Sequence, residues 1–393
     1  MDILPRKTRC SVCGGGNLET VFELPNFPIT GIFVERPVSG PVQGYDQALL
    51  SCPDCGHAQL QRTVPPARLY GEGYSHRSTI CHLMPAATRF FIDYVDRLTG
   101  GRVFDCILEI GCNDLMLLKR MAPRGRTVVG IDPIWKGRDH EAPTPIHMIG
   151  KFIEEVDFAR DLPARPQLIF STHNLEHIDE PAEQFARLME AAADDALFVI
   201  EVPDIDIMTR NLRFDQVFHQ HVHYFGLASF IAFIERIGGH YVDHAFDYRN
   251  WGGSLIVAFR KGQGERPAIQ APQPTPAHLA EHYGMFRRRM ADVMRQATRF
   301  DGPLWGYGAG QMVPAVAYHL DSDLSFLEGV FDDNPQRAGL VWPHLAPVIR
   351  TPAEDTRLDD AGAMILALDG VRPIMNRLRA LNPRQIFVPI NAF

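Results

Sequence analysis

A chain of 393 residues with 46% apolar and 22% charged residues has the composition of a globular protein and room for two or three domains. No apolar run reaches the ~20 residues of a membrane span, and the first residues lack a signal-peptide core, so we expect a cytoplasmic protein without a membrane partner. A formal charge of -8 without a long basic run argues against nucleic acid and favours a small-molecule partner.

Two Cys-x-x-Cys pairs lie near the start of the chain, and each is followed by a glycine. The first pair is Cys10 and Cys13, and the second is Cys52 and Cys55. This spacing predicts a tetrahedral zinc site, and four thiolates close the coordination shell. We therefore expect a structural zinc that holds a domain over residues 1–66. A redox pair is the weaker alternative, and His57 is a possible substitute for one thiolate.

The centre of the sequence is organised around an apolar run that ends in Glu109 and Gly111 and passes into an amphipathic helix. This pattern predicts a buried parallel strand, a tight turn and a crossover helix. A second apolar run ends in Asp132, where an acid can accept hydrogen bonds from ribose hydroxyls. The turn is acidic and lacks the Gly-x-Gly-x-x-Gly of dinucleotide sites, so it favours the cationic cofactor S-adenosylmethionine (SAM). A strand-turn-helix without a ligand is the alternative.

Further apolar runs predict the rest of a seven-stranded sheet with an antiparallel edge formed by Tyr241–Tyr248 and Ser254–Arg260. Open α/β sheets hold ligands at the carboxyl ends of their strands. Polar residues that follow two of the runs are therefore candidates for the cleft: His173, Glu176, His177 and Glu201.

Two polar segments flank this predicted domain. The first, before the sheet, could close over a polar substrate, although its tyrosines could equally pack as ordinary half-buried residues. It contains Tyr70, Tyr74, His76 and Ser78. The second has histidines at 219, 221 and 223, which would face one way on a strand. Such a row could bind a metal, but one histidine acting as a general base is the preferred interpretation.

Beyond the prolines at 267–276, a helix and a second glycine-rich turn predict a smaller doubly wound domain over 266–393. Its first strand is followed by glycines at 306, 308 and 310, and its second, Phe326–Phe331, ends in Asp332. Backbone N–H groups of such a turn can receive phosphates. Packing of the helix on the sheet is the alternative reason for the glycines.

The order of zinc pairs, SAM-like sheet and glycine-turn domain resembles the three-domain sugar C-methyltransferases, which methylate a carbon of nucleotide-linked keto-deoxysugars. Several stretches carry the resemblance: Cys10–Cys13, Cys52–Cys55, Tyr70–Ser78, Glu109–Asp114, Asn174–His177, Glu201–Pro203, Phe218–Phe225 and Gly306–Gly310. It implies a class I SAM methyltransferase sheet over 67–265, a structural zinc and SAM as cofactors, and His221 as the base that removes a proton beside the sugar ketone.

The resulting assignments form three groups. SAM contacts are expected from Glu109, Gly111, Asn113, Asp132, His173 and Asn174. Catalytic contacts are expected from His221, His177, His219, Tyr74 and His76. Substrate contacts are expected from Tyr70, Ser78, Glu201, Gln220, Tyr224, Tyr307, Gly308 and Asp332.

Three departures from the family pattern bear on the reaction. Phe218 and Gln220 stand where the family has a tyrosine and a glutamate, and Leu115 replaces a glycine beside the SAM turn. The alternatives to C-methylation are therefore O- or N-methylation of a small metabolite, enolisation without methyl transfer, which would be epimerisation, and ligand binding without catalysis.

Overall fold

The computed structural model describes residues 5–38, 44–69, 84–249, 252–262, 264 and 271–390. The predicted substrate loop with Tyr70, Tyr74, His76 and Ser78 lies outside these residues. The strands of the described part form three sheets, of four, seven and five strands. No helix in the described part is long and apolar enough to cross a membrane.

The N-terminal sheet is antiparallel and has the strand order β1-β2-β3-β9. Its first three strands come from the cysteine-containing region, whereas β9 comes from the histidine-rich segment far along the chain. The sheet therefore joins the zinc-binding region to the segment that carries the predicted base. Its strands are β1 (Glu19–Phe27), β2 (Tyr45–Ser51), β3 (Ala58–Leu60) and β9 (His223–Tyr224), and the short helix α1 (Pro66–Leu69) follows β3.

The central sheet has the order β10-β11-β8-β7-β4-β5-β6, which confirms the predicted seven strands and their antiparallel edge. The strands β4 to β8 are parallel and almost continuously buried because helices cover both faces. The strands are β4 (Phe104–Ile110), β5 (Gly125–Ile131), β6 (Ile146–Ile149), β7 (Leu168–Thr172), β8 (Leu197–Pro203), β10 (Gly239–Asp247) and β11 (Ser254–Lys261). The helices are α2 (Met84–Thr99), α3 (Met116–Met121), α4 (Phe158–Asp161), α5 (Pro181–Ala191), α6 (Ile205–Arg210) and α7 (Leu227–Arg236).

The C-terminal sheet is parallel and has the order β14-β13-β12-β15-β16. The strands β13 and β15 lie on opposite sides of β12, so the order in which strands are added to the sheet reverses at β12. Open α/β sheets form a ligand crevice at such a point. Its strands are β12 (Leu304–Tyr307), β13 (Val330–Phe331), β14 (Ile349–Arg350), β15 (Gly362–Ile365) and β16 (Gln385–Phe387), with helices α8 (Pro276–Thr298), α9 (Val313–Leu320) and α10 (Val371–Leu381).

The N-terminal sheet and the C-terminal domain share one hydrophobic core. Phe22 of β1 stacks on Tyr283 of α8 with ring centroids 3.6 Å apart, and Phe214 meets both rings edge-on. Because these residues come from three parts of the chain, the core fixes the first and last domains against the central one.

Candidate active site

The four predicted zinc ligands lie together, and the zinc-binding turns have the expected shape. The sulfurs of Cys10 and Cys55 are 3.8 Å apart, and those of Cys13 and Cys52 are 3.6 Å apart. Zinc–sulfur bonds of about 2.3 Å in a tetrahedron place sulfurs at about this separation. All four sulfurs lie within 4.8 Å of one another. The residues therefore fit a closed zinc site.

His57 is not part of this cysteine cluster, so it does not replace one of the four thiolates as a ligand. Its Nε2 lies 3.1 Å from Nδ1 of His223, and the Nε2 of His223 lies 3.1 Å from the carbonyl oxygen of Asp179. Both rings are buried. They connect the zinc-binding region to the histidine-rich segment.

The turn after β4 is held from both sides. Gly111 has a φ of 74°, and a Cβ there would lie 2.6 Å from the Asn174 side chain. Asp132 accepts hydrogen bonds from the backbone N–H of Asn113 at 2.8 Å and of Ile134 at 2.9 Å. The glycine is required because the backbone is left-handed and Asn174 leaves no space for a side chain.

Three acidic side chains lie around this turn. Burial raises the pKa of Glu109 well above its usual value, and the nearby Asp132 and Asp114 raise it further. Glu109 Oε2 and Asn113 Oδ1 are buried oxygens without a hydrogen-bond partner in the described structure. Acceptors of this kind fit a cofactor with a sulfonium and an ammonium group, since each group contributes a positive charge.

Leu115, which follows the turn, is a core residue. Its side chain is 1% exposed and belongs to the hydrophobic cluster that contains Phe91 and Leu118. Its φ of 69° is a left-handed conformation that glycine adopts more easily. Leu115 thus places backbone strain directly before α3.

The expectation that three alternating histidines face one way is wrong, because within this segment only His223 and Tyr224 form a strand. The Nε2 of His219 lies 3.0 Å from the carbonyl oxygen of Phe27, and its ring packs against the N-terminal sheet. His223 faces His57. His221 therefore remains as the histidine of this row that reaches the strand ends of the central sheet.

His221 lies in a cluster with Glu176 and His177. One ligand-type atom of each lies within 4.8 Å of the others, and the two imidazole rings meet edge-on with centroids 5.0 Å apart. The Nδ1 of His177 lies 2.7 Å from the carbonyl oxygen of Gln220. Burial, together with the neighbouring His177, lowers the pKa of His221 to about 3, so the ring is neutral and its protonated form is disfavoured.

His173 lies behind this cluster between two carboxyl groups. Its Nδ1 is 3.6 Å from Glu176 Oε1, and its Nε2 is 3.6 Å from Glu201 Oε1. Burial opposes a charge on the ring, but the two carboxyl groups outweigh it and raise the pKa of His173 to about 10. Burial likewise opposes ionisation of Glu176, but His173 and His177 lower the pKa of that carboxyl to about 2.

The other predicted residues of this segment have structural contacts. Gln220 exchanges two hydrogen bonds with Thr30, one with its hydroxyl and one with its carbonyl, both at 3.1 Å. The Tyr224 hydroxyl is buried 3.3 Å from the backbone nitrogen of Phe218. Phe218 packs against His221 with ring centroids 4.1 Å apart. In this conformation Gln220 and Tyr224 face the N-terminal sheet and the protein interior.

A buried charged group joins the central domain to the C-terminal domain beside His221. Arg213 donates two hydrogen bonds to Asp215 at 2.8 Å and one to Asp369 at 2.6 Å. Burial opposes the charge on Asp369, but Arg213 outweighs it and lowers the pKa of that carboxyl. Sequence patterns did not indicate either residue. An arginine two residues before an aspartate is common, and Asp369 is distant along the chain.

The second glycine turn follows β12 and lies against β15. Gly308 has a φ of 93°, and a Cβ there would lie 2.5 Å from the Ala367 side chain. Asp332 accepts hydrogen bonds from the backbone N–H of Ala309 at 2.6 Å and of Asn334 at 2.9 Å. Close packing therefore accounts for Gly308, which is the alternative that the sequence left open.

This turn also reaches the other two domains. The backbone N–H of Gly31 donates to the carbonyl of Gln311 at 3.1 Å, and Gly31 lies next to the amide of Gln220. The Tyr307 hydroxyl donates to Asp333 at 2.8 Å, and Arg377 also contacts Asp333. The glycine turn, the N-terminal domain and the histidine-rich segment thus meet around Gln220.

Comparisons with known proteins agree with this architecture. Residues 82–242 match the family described as "Methyltransferase domain", and residues 10–70 match the family described as "Putative zinc binding domain". The chain is 26% identical over 278 residues to the C-methyltransferase NovU of Streptomyces niveus, which covers 68% of this chain and 65% of that protein. It is 28% identical over 105 residues to the ubiquinone biosynthesis O-methyltransferase of Pseudoalteromonas translucida, covering 26% and 44%. The matches thus span less than two thirds of the length of these curated relatives.

Solved structures resemble the central part of the chain. The 1,6-didemethyltoxoflavin-N1-methyltransferase of Burkholderia thailandensis is 18% identical with a TM-score of 0.36, covering 45% of this chain and 79% of that chain. The N-methyltransferase NodS of Bradyrhizobium japonicum is 13% identical with a TM-score of 0.36, covering 46% and 98%.

The central domain thus combines the seven-stranded sheet of the class I SAM-dependent methyltransferase fold with a match to the methyltransferase-domain family over residues 82–242. A match to a zinc-binding family precedes it over residues 10–70, and one relative is by its printed name a C-methyltransferase.

Proposed function

We propose that this protein is a C-methyltransferase acting on an enolisable carbonyl compound, with a nucleotide-linked keto-deoxysugar as the substrate class. The observation that carries the proposal is His221, a neutral imidazole beside the buried carboxylate of Glu176 at the ligand-binding edge of the methyltransferase sheet. A carbon acceptor needs such a base because a C–H bond beside a carbonyl must lose its proton before the carbon becomes nucleophilic. Oxygen and nitrogen acceptors need much less activation.

In this proposal, one group of residues holds the cofactor and another moves a proton. Gly111, Asn113 and Asp132 would hold SAM, with Glu109 and Asn174 supporting the turn. When bound, SAM supplies an electrophilic methyl group. His221 would take the proton next to the substrate carbonyl, and the Nε2 of His177 would face the same space because its Nδ1 is directed at the Gln220 carbonyl.

The C-terminal domain is proposed to hold the nucleotide part of the substrate. The glycine turn around Gly308 opens at the sheet crevice, and the contact between Gly31 and Gln311 brings it next to the histidine-rich segment. Tyr307 and Asp332 flank this turn. A substrate with a diphosphate on the turn and its sugar towards His221 would use both domains. NovU, by its printed name a C-methyltransferase, supports the same reaction class.

O-methylation is the second candidate function, because one relative is an O-methyltransferase by name and Phe218 offers no hydroxyl to an enolate oxygen. Epimerisation and binding without catalysis remain further alternatives. The test is to incubate the zinc-loaded protein with SAM carrying a ¹³C methyl group and a nucleoside-diphosphate 4-keto-6-deoxyhexose. Nuclear magnetic resonance (NMR) distinguishes methyl groups on carbon, nitrogen and oxygen. A labelled methyl on carbon is expected. Two results would reject C-methylation of this substrate class. In the first, the label is found only on oxygen. In the second, no substrate is labelled although the protein binds S-adenosylhomocysteine.

A further inference from the structure

Glu176 is a buried carboxylate whose surroundings are unusual. Its side chain is fully buried, and neither oxygen has a hydrogen-bond partner in the described part of the structure. Buried carboxylates in folded proteins normally accept hydrogen bonds or pair closely with a cation. Glu176 is instead surrounded by the rings of His173, His177 and His221 at distances longer than hydrogen bonds. This arrangement requires an explanation.

Glu176 shares its neighbour His173 with a second acid. His173 lies 3.6 Å from both Glu176 and Glu201, so two carboxyl groups face one imidazole ring. Glu176 also faces His177 at 3.9 Å and lies in the same cluster as His221. Its carboxylate is therefore close enough to His221 to act on a charge formed there.

His221 needs such a charge when it acts as a base. Proton transfer to His221 creates an imidazolium in a buried position, where burial and the neighbouring His177 disfavour it. Gln220 precedes His221 in the chain, and its amide is hydrogen-bonded to Thr30 on both its oxygen and its nitrogen. A neutral amide that faces the N-terminal sheet cannot stabilise the imidazolium.

The groups that face His221 come from four elements. Its own segment contributes the rings of Phe218 and Tyr224, the turn after β7 contributes Glu176 and His177, the end of β7 contributes His173, and the C-terminal domain contributes Asp369. Two of these, Glu176 and Asp369, are carboxylates that favour the charged ring. Asp369 is hydrogen-bonded to Arg213 at 2.6 Å and Gln216 at 3.3 Å, which offsets its charge.

We propose that Glu176 is the positioning residue whose negative charge stabilises the imidazolium formed on His221 during proton abstraction. The inference rests on the proposed function of His221. In the step, the C–H bond beside the carbonyl breaks, its electron pair passes into the enolate, and the proton goes to the His221 ring nitrogen. The positive charge then faces Glu176, and no oxidant or metal takes part.

The first test compares Glu176→Gln with wild type in deuterium exchange at the carbon beside the ketone of a nucleoside-diphosphate 4-keto-6-deoxyhexose, without SAM. Because removal of a charge partner weakens general-base catalysis, we expect a loss of about 100-fold in the rate, with affinity for S-adenosylhomocysteine unchanged within about threefold. Adding Gln220→Glu should not restore the rate. Glu183→Gln, an exposed glutamate on α5, is the matched control. Exchange by Glu176→Gln at the wild-type rate, or its restoration by Gln220→Glu, would overturn the inference.

The second test needs no substrate. Imidazole titrations of the full zinc-loaded chain by ¹⁵N NMR, with His221 assigned from His221→Gln, should show a lower His221 pKa in Glu176→Gln than in wild type. An unchanged His221 titration, or a second tightly bound metal ion per chain held by Glu176 and the histidines, would overturn it. If wild type shows no exchange while this shift is present, the proposed function fails and the charge relation stands.

Discussion

Two turns of this protein, one in the central domain and one in the C-terminal domain, have the same pattern of backbone hydrogen bonds to an aspartate. In the central domain Asp132 at the end of β5 accepts hydrogen bonds from Asn113 in the preceding turn and from Ile134, two residues ahead. In the C-terminal domain Asp332 at the end of β13 accepts them from Ala309 in the preceding turn and from Asn334, two residues ahead. In both domains, the turn after one strand is hydrogen-bonded to an aspartate at the end of the neighbouring parallel strand.

The charge around the two turns is different. Asp114 and the buried carboxyl group of Glu109, whose pKa burial raises, lie near Asp132. In the C-terminal domain Arg337 lies 3.3 Å from Asp332, and Arg377 lies 3.3 Å from Asp333. The first turn therefore lies among acidic side chains, and the second lies beside two arginines. The proposal of a cationic cofactor at the first turn and an anionic group at the second depends on this difference in the surrounding side chains.

The largest expected effect concerns the base that lies between the two turns. His221→Gln should lower carbon-bound proton exchange and methyl transfer by about 1,000-fold, because general-base catalysis of this kind contributes 10²- to 10⁴-fold. Both turns should keep their ligands. Rates are measured by mass spectrometry of product, and affinities for S-adenosylhomocysteine and a nucleoside diphosphate by calorimetry. His278→Gln, at an exposed position of α8, is the control. Activity near wild type in His221→Gln would assign the base to another residue.

The second effect separates the first turn from the other. Gly111→Ala places a methyl group 2.6 Å from Asn174 at a φ of 74°, so affinity for S-adenosylhomocysteine should fall by about 100-fold. Nucleoside diphosphate affinity should stay the same. Gly137→Ala is matched, since Gly137 has a φ of 76° and no heavy atom within 4 Å of its added Cβ. Equal losses in both variants would show that backbone strain alone is responsible.

The reciprocal variant tests the second turn. Gly308→Ala brings a methyl group to 2.5 Å from Ala367 and should weaken nucleoside diphosphate binding by about 10-fold, while cofactor binding persists. Gly339→Ala is its matched control, with a φ of 83° and an open surrounding. If Gly308→Ala changes S-adenosylhomocysteine affinity instead, the assignment of the two turns to two ligands is wrong.

The smallest expected effect concerns the stability of the protein in acid. The helix after the second turn, α9, contains the buried His319, whereas the helix after the first turn, α3, contains no histidine. Burial, together with the nearby charge of Arg287, lowers the pKa of His319 to about 3. Below pH 6.5 the histidine is therefore protonated in the unfolded chain but not in the folded chain. As the pH is lowered to 5.5, the free energy of unfolding should fall by about 1 kcal/mol.

His319→Phe should flatten this slope, because its ring can still pack against Phe286 but cannot be protonated. Thermal unfolding between pH 7.5 and 5 measures it for wild type and variant. Identical slopes would show that His319 does not contribute to acid sensitivity.

Local features of the sequence were sufficient for the cysteine pairs, the strand-turn-helix at Gly111 and the seven strands. Each depends on residue spacing and hydrophobic period over a short stretch of chain. The same reasoning failed for the histidines at 219 and 223, because a period of two predicts one shared face only on a regular strand. The chain there is mostly irregular and is held by Phe27 and His57 from another domain.

The sequence by itself thus determined the fold class, the cluster of four cysteines and the strand-turn-helix around Gly111, since these depend on neighbours in the chain. Tertiary structure decided that His221 lies with Glu176, that Gln220 faces Thr30, and that Asp369 approaches from the C-terminal domain. Contacts of this kind depend on how three sheets pack together, and burial then sets which groups carry a charge.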